Sequence, residues 1–414
     1  MIMQKRILDK VQIILFSCFL FLWYISANEK TLRIISICIF GMFSIIEIIK
    51  ILYDKKIAFN SSLLSYLFLV LFGFISMLWA VDDDAVVSKS TELLMGFIFL
   101  TLSYNYFIKL DQPTELIIKV IKIVGIVFSV YVVLYYGVTN YFNMLLSGRR
   151  IGTEIINVNF IGIITSINFI LLLYDLILEN KGNNVVTIVL ATISLIVALG
   201  TGSKKAIIVI LLGITVILFK KFKQKFTIKN VITTFIFVIA IILVASFFYN
   251  GGYLDTIFNR FEAMLNTLSN DDISTGSTYI RKMFIKSGLE EFFKSPLVGI
   301  GLNNSKIITY ELFREETYLH CNYIELLACT GIIGFCLFYY IYYYVLYNCI
   351  KNITLKNADI VILIFIINLF LDIGNVSYYE IKTFLYLLLG IVFVGNIKRE
   401  IKKDEFKEKN KKSN

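Results

Sequence analysis

Two prolines, one histidine and 17% charged residues are what this 414-residue sequence has least of. So little charge beside 58% apolar residues would not keep a globular chain in solution, because soluble proteins carry roughly 45–50% apolar residues even with glycine counted. That argues against a nucleic-acid enzyme and a Rossmann enzyme alike. Six cysteines (Cys18, Cys38, Cys321, Cys329, Cys336 and Cys349) have no paired or C-x-x-C spacing. A disulfide-stapled secreted domain and a zinc site are therefore poorly supported, and core packing is the simpler reading of the thiols. The chain also lacks an internal repeat of the transporter kind and any low-complexity linker.

What is present is apolar length. Thirty-six phenylalanines, 25 tyrosines and a mean hydropathy of +0.78 describe a polytopic integral membrane protein. About 240 apolar residues, at roughly 20 per crossing, allow about a dozen transmembrane helices and no sizeable soluble domain. The runs predict spans near Val11 to Ala27, Leu32 to Ile49, Leu63 to Ala80, Leu93 to Phe107, Leu116 to Gly137 and Ile155 to Leu176. Further spans are expected near Val185 to Leu199, Ala206 to Phe219, Val231 to Tyr249, Tyr323 to Tyr347, Ile360 to Leu371 and Thr383 to Val394.

The organisation expected is nine spans in residues 1–249, a long extracytoplasmic loop in 250–322, three spans in 323–397 and a basic cytoplasmic tail in 398–414, solvated and partly disordered. The first span runs straight into the second without an A-x-A-like site, so it reads as an anchor rather than a cleaved signal. With the N-terminus cytoplasmic, the inner segments hold 25 of the 40 Lys/Arg residues, and seven of the other 15 lie in the long loop, where the positive-inside rule has little force. Both termini are then cytoplasmic, and the basic tail lies beside anionic lipid.

In that orientation the long polar connections, Val81 to Lys89, Val138 to Glu154 and Asn250 to Asn322, all fall outside. A transporter needs its polar groups near the midplane, whereas an enzyme acting at the membrane surface concentrates them at the boundary. Within the last loop, Ser277 is placed to cap a helix over Thr278 to Phe293. Arg281 then sits in its first turn, where a bare cation is disfavoured and a phosphate is welcome; a solvated surface arginine fits as well. Pro296-Leu297-Val298-Gly299-Ile300-Gly301 reads as a glycine-hinged connection or a plain turn. His320 stands just before a span, where its imidazole would serve as a base near neutral pH or simply as a structural group. Lys204 and Lys205 lie close to membrane depth and either meet anions or snorkel, and the same two readings apply to Arg149 and Arg150 ahead of Asn157-Val158-Asn159. Asp82 to Asp84 is a carboxylate run without partner ligands, more readily a solvated loop than a metal site.

In this order the motifs resemble the O-antigen ligase and Wzy-type polysaccharide polymerase superfamily. Trp79-Ala80-Val81-Asp82 is similar to its tryptophan and aspartate at the second outer loop. Arg150-Ile151-Gly152 with Asn157-Val158-Asn159 resembles its R-x-G and N-P-N element, with valine for proline. Thr201-Gly202-Ser203-Lys204-Lys205-Ala206 is similar to T-G-S-R-G-A, with lysine for arginine. Arg281, Pro296 to Gly301, and His320-Cys321-Asn322-Tyr323-Ile324-Glu325-Leu326-Leu327 with Gly331 and Gly334 resemble the arginine, P-x-x-G-x-G and H-N-N-Y-x-E-L-L-x-x-x-G-x-x-G elements.

The resemblance implies a GT-C-like all-α membrane fold and a metal-independent, inverting transfer from an undecaprenyl-pyrophosphate-linked glycan to an acceptor hydroxyl, with no cofactor. The setting it implies is the outer face of a bacterial plasma membrane. A diphosphate leaving group suits cationic clamps, here Arg281, Lys204, Lys205 and Arg150, with His320 on the acceptor hydroxyl and Asn322, Tyr323, Glu325 and Asn159 in support. Donor and acceptor would be lipid-linked oligosaccharides, with a flippase and a chain-length regulator of the same pathway as partners and no nucleic acid. The activity expected is a repeat-unit polymerase of capsule, O-antigen or exopolysaccharide synthesis, with an O-antigen ligase acting on lipid A core as the alternative; heavy use of Ile, Lys and Asn, a mark of AT-rich genomes common in Gram-positive bacteria without lipid A, favours capsule or exopolysaccharide. A lipid-linked oligosaccharide flippase and a glycosyltransferase using metal-bound Asp82 or Asp83 are the alternatives from other classes.

Overall fold

A computed structural model describes residues 2–27, 29–179, 184–224 and 277–412 of the chain, with side chains over 7–27, 29–179, 185–222 and 279–401. Among these residues the regular structure is helical: α1 (Ile2–Ile25), α2 (Lys30–Asp54), α3 (Ser61–Ile75), α4 (Asp83–Phe107), α5 (Pro113–Tyr136), α6 (Val138–Leu146) and α7 (Val158–Tyr174), then α8 (Asn184–Gly200) and α9 (Lys204–Gln224). Beyond the gap lie α10 (Ser277–Lys294), α11 (Ser305–Phe313), α12 (Asn322–Lys351), α13 (Ala358–Leu371) and α14 (Ile381–Lys412). Eight of the described helices are long and apolar enough to cross a membrane, and Val185–Gly200 and Ala358–Leu371 are shorter apolar helices. These ten account for ten of the twelve expected spans. The run from Ala206 to Phe219 lies inside α9, and the one from Val231 to Tyr249 falls outside the described residues.

Three sequence expectations need correction. The Val81 to Lys89 connection is largely helix, because the Asp82 carboxylate accepts the Ala85 N–H at 2.9 Å and starts α4 at Asp83. The expected loop from Val138 holds the nine-residue helix α6. The basic tail after Lys398 continues α14 without a break to Lys412, since nothing in that stretch stops a helix.

The chain divides into two compact units. In the first, made of residues 1–46 and 118–269, α7 packs against α8 and α9. Gly125 and Gly213 are where helices approach closely: a Cβ on either would fall 2.4–2.6 Å from atoms of Ile170 or Asn168 on α7. Asn168 and Ser194 hydrogen-bond within the apolar layer at 2.9 Å, and Lys122 pairs with Asp175. In the second, residues 47–117 and 270–414, α3 packs against α4 and α12, α14 packs on α4, α12 and α13, and α10 lies on α12.

The second unit is organised by a break in α12. Gly331 leaves the helical region with φ 60° and ψ −165°. An unbroken helix would pair the Ile332 and Ile333 N–H groups with the Ala328 and Cys329 carbonyls. Here Ile332 and Ile333 donate instead to Pro296 and Leu297 at 2.9 and 3.3 Å, and the released carbonyls accept from Ile300 and Gly301 at 3.0 Å each. The Pro296 to Gly301 segment is therefore inserted into the break, about 14 Å along the helix from Asn322, and is not a surface turn. Irregular backbone at membrane depth is tolerated when protein satisfies its polar groups, as this exchange does. A Cβ at Gly331 would lie 2.3 Å from the Leu297 carbonyl carbon, and one at Gly299 2.4 Å from that of Cys329. Both glycines also have positive φ, so the two motifs require each other's glycines.

Candidate active site

In the first unit, the turn between α8 and α9 gathers four of the expected residues. Lys204 and Lys205 are the first two residues of α9, half-buried where free N–H groups and the macrodipole already favour an anion. Arg150 approaches the same turn, donating from Nε to the Thr201 carbonyl at 3.0 Å, while Ile151 N–H donates to the Gly200 carbonyl at 3.0 Å. Gly202 takes φ 58°, a backbone that favours glycine, with the Arg150 stem lying against it. Asn159 accepts from the Ser203 hydroxyl at 2.8 Å and ties α7 to the turn.

The valine in Asn157-Val158-Asn159 also has an explanation. Asn157 caps α7, accepting from Asn159 N–H at 2.9 Å, which puts Val158 at the first helical position. Proline is favoured there only because its φ is preset and its missing N–H is not needed, so valine keeps the cap and loses the stiffness.

In the second unit, His320 lies in the left-handed region at φ 58°, an uncommon conformation for a residue with a Cβ. Phe284 stacks on the imidazole with centroids 6.0 Å apart and planes at 14°, and Tyr318 meets it edge-on at 4.4 Å. Phe284 lies one turn beyond Arg281 on α10, so the arginine belongs to the face that covers the histidine. Burial raises the Tyr318 phenol above its ordinary range and the Glu380 charge adds to this, while the Arg281 guanidinium pulls it down. Tyr318 thus touches the ring of His320 and feels the charge of Arg281. The start of α10 at Ser277 moves the expected cap one residue into the helix.

Glu325 is buried and its two oxygens are both used, by the Ser305 hydroxyl at 2.6 Å and the Leu319 N–H at 2.8 Å. It holds the backbone immediately before His320. Asn322 ties the start of α12 to the segment ahead of α14, accepting from Ser377 and Tyr378 N–H at 2.8 and 3.2 Å. Tyr323 donates to the Leu369 carbonyl at 2.7 Å. These three supports act on the framework of the histidine loop. Cys321 occupies the cap position of α12 without a side-chain cap bond, and burial pushes its thiol above the ordinary range despite the nearby Ile324 and Tyr323 N–H groups.

The remaining motif joins the same unit. The Asn304 side chain accepts from Val81 and Asp82 N–H at 3.2 and 2.9 Å and returns a bond to the Asp82 carbonyl, while Leu302 N–H donates to the Ser76 hydroxyl at 3.0 Å. Trp79 to Asp82 is thereby latched to the segment after Gly301. Asp82 is spent on its cap, and Asp83 and Asp84 occupy the first turn of α4, where carboxylates offset the macrodipole.

Three residues here were not expected in the site, although Asp372 reads from the sequence as a charge near the outer boundary. Lys89 is buried on α4, 3.5 Å above the Tyr379 ring and 2.7 Å from Glu92. Lys382 is buried with Glu380 2.6 Å away. Asp372 accepts from Tyr339 and Ser377 hydroxyls and from Asn322, and its burial pushes its carboxyl up to about 7 although the hydroxyl bonds lower it. The only sequence signal for these was a charge at the edge of an apolar run, which snorkelling explains equally well.

Residues 189–339, running from α8 into α12, match the family model described as O-antigen ligase. Over that stretch the chain is similar to the O-antigen ligase and Wzy superfamily. The matched stretch contains Lys204, Lys205, Arg281, the Pro296 to Gly301 insertion and His320 to Gly334; Arg150, Asn159 and the Trp79 to Asp82 latch lie upstream of it. No curated protein matches the chain. Members of this superfamily are glycosyltransferase-like membrane enzymes acting on lipid-linked oligosaccharides. The two clusters divide by chemistry: three cations around a helix N-terminus in one unit, and in the other an imidazole against Tyr318, which also feels the charge of Arg281.

Proposed function

We propose that this protein is a Wzy-type polymerase, transferring an oligosaccharide from undecaprenyl pyrophosphate to a hydroxyl of another lipid-linked repeat unit on the outer face of a bacterial plasma membrane. The observation that carries the reading is the constrained His320, in ring contact with Phe284 and with Tyr318, which also feels the charge of Arg281, within the family's matched region. Arg281, in the same unit as His320, stabilises the diphosphate as it departs, while Lys204, Lys205 and Arg150 form a separate cationic cluster for donor phosphate in their own unit; cations aimed at developing charge are the strongest stabilisation such a site supplies without redistributing protons. His320 accepts the proton of the attacking hydroxyl, its αL backbone and its two aromatic neighbours fixing the ring. The sugar carbon exchanges its bond to the pyrophosphate oxygen for one to the acceptor oxygen, with inversion; the proton goes to His320 and the electron pair to the diphosphate. Isoleucine-, lysine- and asparagine-rich composition supports the polymerase over a ligase that uses lipid A core.

The test is the length profile of surface and lipid-linked glycan in a host lacking the gene, complemented with wild type, His320→Ala or Arg281→Ala. The proposal expects long chains with wild type only, and single repeat units with either variant at normal protein levels. Arg281→Ala should cost about 2–4 kcal/mol in transition-state stabilisation. Long lipid-linked chains that never reach their final anchor would make the protein a ligase, and units trapped on the cytoplasmic leaflet would make it a flippase. Near-normal polymer from both variants would refute the site.

A further inference from the structure

The second unit contains a cavity of about 410 Å³ far from the histidine. α12 links the two places. Its first residue follows Cys321 and its last precedes the cavity-lining Asn352, and the unbroken helical run after Gly331, about 20 residues at 1.5 Å each, alone extends about 30 Å. The cavity therefore lies at the other end of α12 from His320, beyond the reach of the residues that would perform the transfer.

Its lining has two characters. Gln112, Asn352 and Asn396 offer side-chain amides, each able to donate and accept at once. Phe393, Ile397 and Ile401, spaced four apart on α14, form one apolar stripe that runs along the helix toward the membrane interior. Charge is balanced or slightly negative. Lys356 is paired with Glu115, and Glu400 adds a carboxylate. An anionic head group would find no spare cation there, while adjacent hydroxyls match the amides and an aromatic and aliphatic wall suits a sugar face or an acyl stem. Two lining residues, Thr114 and Asn396, also carry side-chain oxygens with no hydrogen-bond partner in the protein. The volume lies within the roughly 300–1,000 Å³ of ordinary ligand pockets.

We infer that this cavity binds a neutral, hydroxyl-rich saccharide group, presented as the head group of a glycosylated membrane lipid, at the other end of α12 from the His320 site. The binding is independent of the transfer reaction, so the two readings stand or fall separately.

The experiment uses the full chain in phosphatidylcholine nanodiscs doped with monoglucosyl-diacylglycerol, with phosphatidylglycerol or phosphatidylethanolamine as the competing dopant, and native mass spectrometry to count retained lipid. Wild type should retain the glucolipid in preference to both phospholipids. Asn396→Leu, which fills the polar wall, and Asn352→Ala should each lower retention about tenfold, the loss of roughly one buried hydrogen bond, with an unchanged unfolding midpoint. Free glucose that competes as well as the glucolipid would keep the saccharide site and assign it to a soluble sugar. Equal retention by wild type and both variants, or a preference for phosphatidylglycerol or phosphatidylethanolamine, would overturn the proposal.

Discussion

The Glu325 carboxylate accepts the Leu319 N–H at 2.8 Å, and through that one bond a residue on α12 determines how the backbone enters His320. The other oxygen is occupied by Ser305, so the carboxylate also ties the histidine loop to α11.

Glu325→Gln leaves one acceptor oxygen where two are used, and turns an amide N–H toward either Leu319 N–H or the Ser305 hydroxyl. Losing a bond to a buried charged acceptor costs about 1.5–3 kcal/mol. Transfer should fall about 10–100-fold, in kcat more than in donor KM, because the base is misplaced while the cations stay. Unchanged kcat in a steady-state assay would show that the carboxylate serves packing alone.

Gly331→Ala and Gly299→Ala should each destabilise by about 3 kcal/mol, combining overpacking against backbone with a side chain in the left-handed region. Gly41→Ala is the internal comparison. Its Cβ meets nothing within 4 Å inside a helix, so it should stabilise by about 0.5–1 kcal/mol. Thermal unfolding midpoints in detergent would order the three variants.

Lys204→Ala and Lys205→Ala should each lower kcat/KM for the lipid-linked donor about tenfold, roughly 1.4 kcal/mol, with Lys204→Arg close to wild type. The double alanine variant should lose more than either single one, since both residues begin α9. A double variant with full activity would remove both lysines from the diphosphate clamp.

Asp372 makes a pH prediction whose sign follows from burial. Its carboxyl lies at about 7 in the folded protein against 3.8 when free, so the folded state holds the proton more tightly. The stability it contributes is full below the free value and is lost as pH rises toward 7. Neighbouring Glu380 reinforces the shift and Lys382 opposes it. Asp372→Asn should flatten this part of the stability profile between about pH 4 and 7, read as the difference between wild-type and variant denaturation curves.

Much of this was legible in the chain before any fold was known. Apolar run length alone located ten described helices, because a lipid environment requires each span to satisfy its own backbone, and that requirement is local. The caps at Asp82 and Asn157 are local too. Motif order was sufficient for the resemblance to the superfamily that residues 189–339 match. What single-residue reasoning missed were relationships between distant segments. Pro296 to Gly301 and Gly331 look like two separate turn signals, and only their exchange of backbone hydrogen bonds reveals one structure. Lys89 and Asp372 read as boundary charges until their partners, Tyr379 and Tyr339, arrive from more than thirty positions away. Periodicity and composition therefore determined that this chain enters a membrane and where, since hydrophobicity is counted along the sequence. Which polar groups are buried together, and hence where a base is held and where a head group fits, was decided by tertiary packing, because hydrogen-bond satisfaction at membrane depth is a property of neighbours in space.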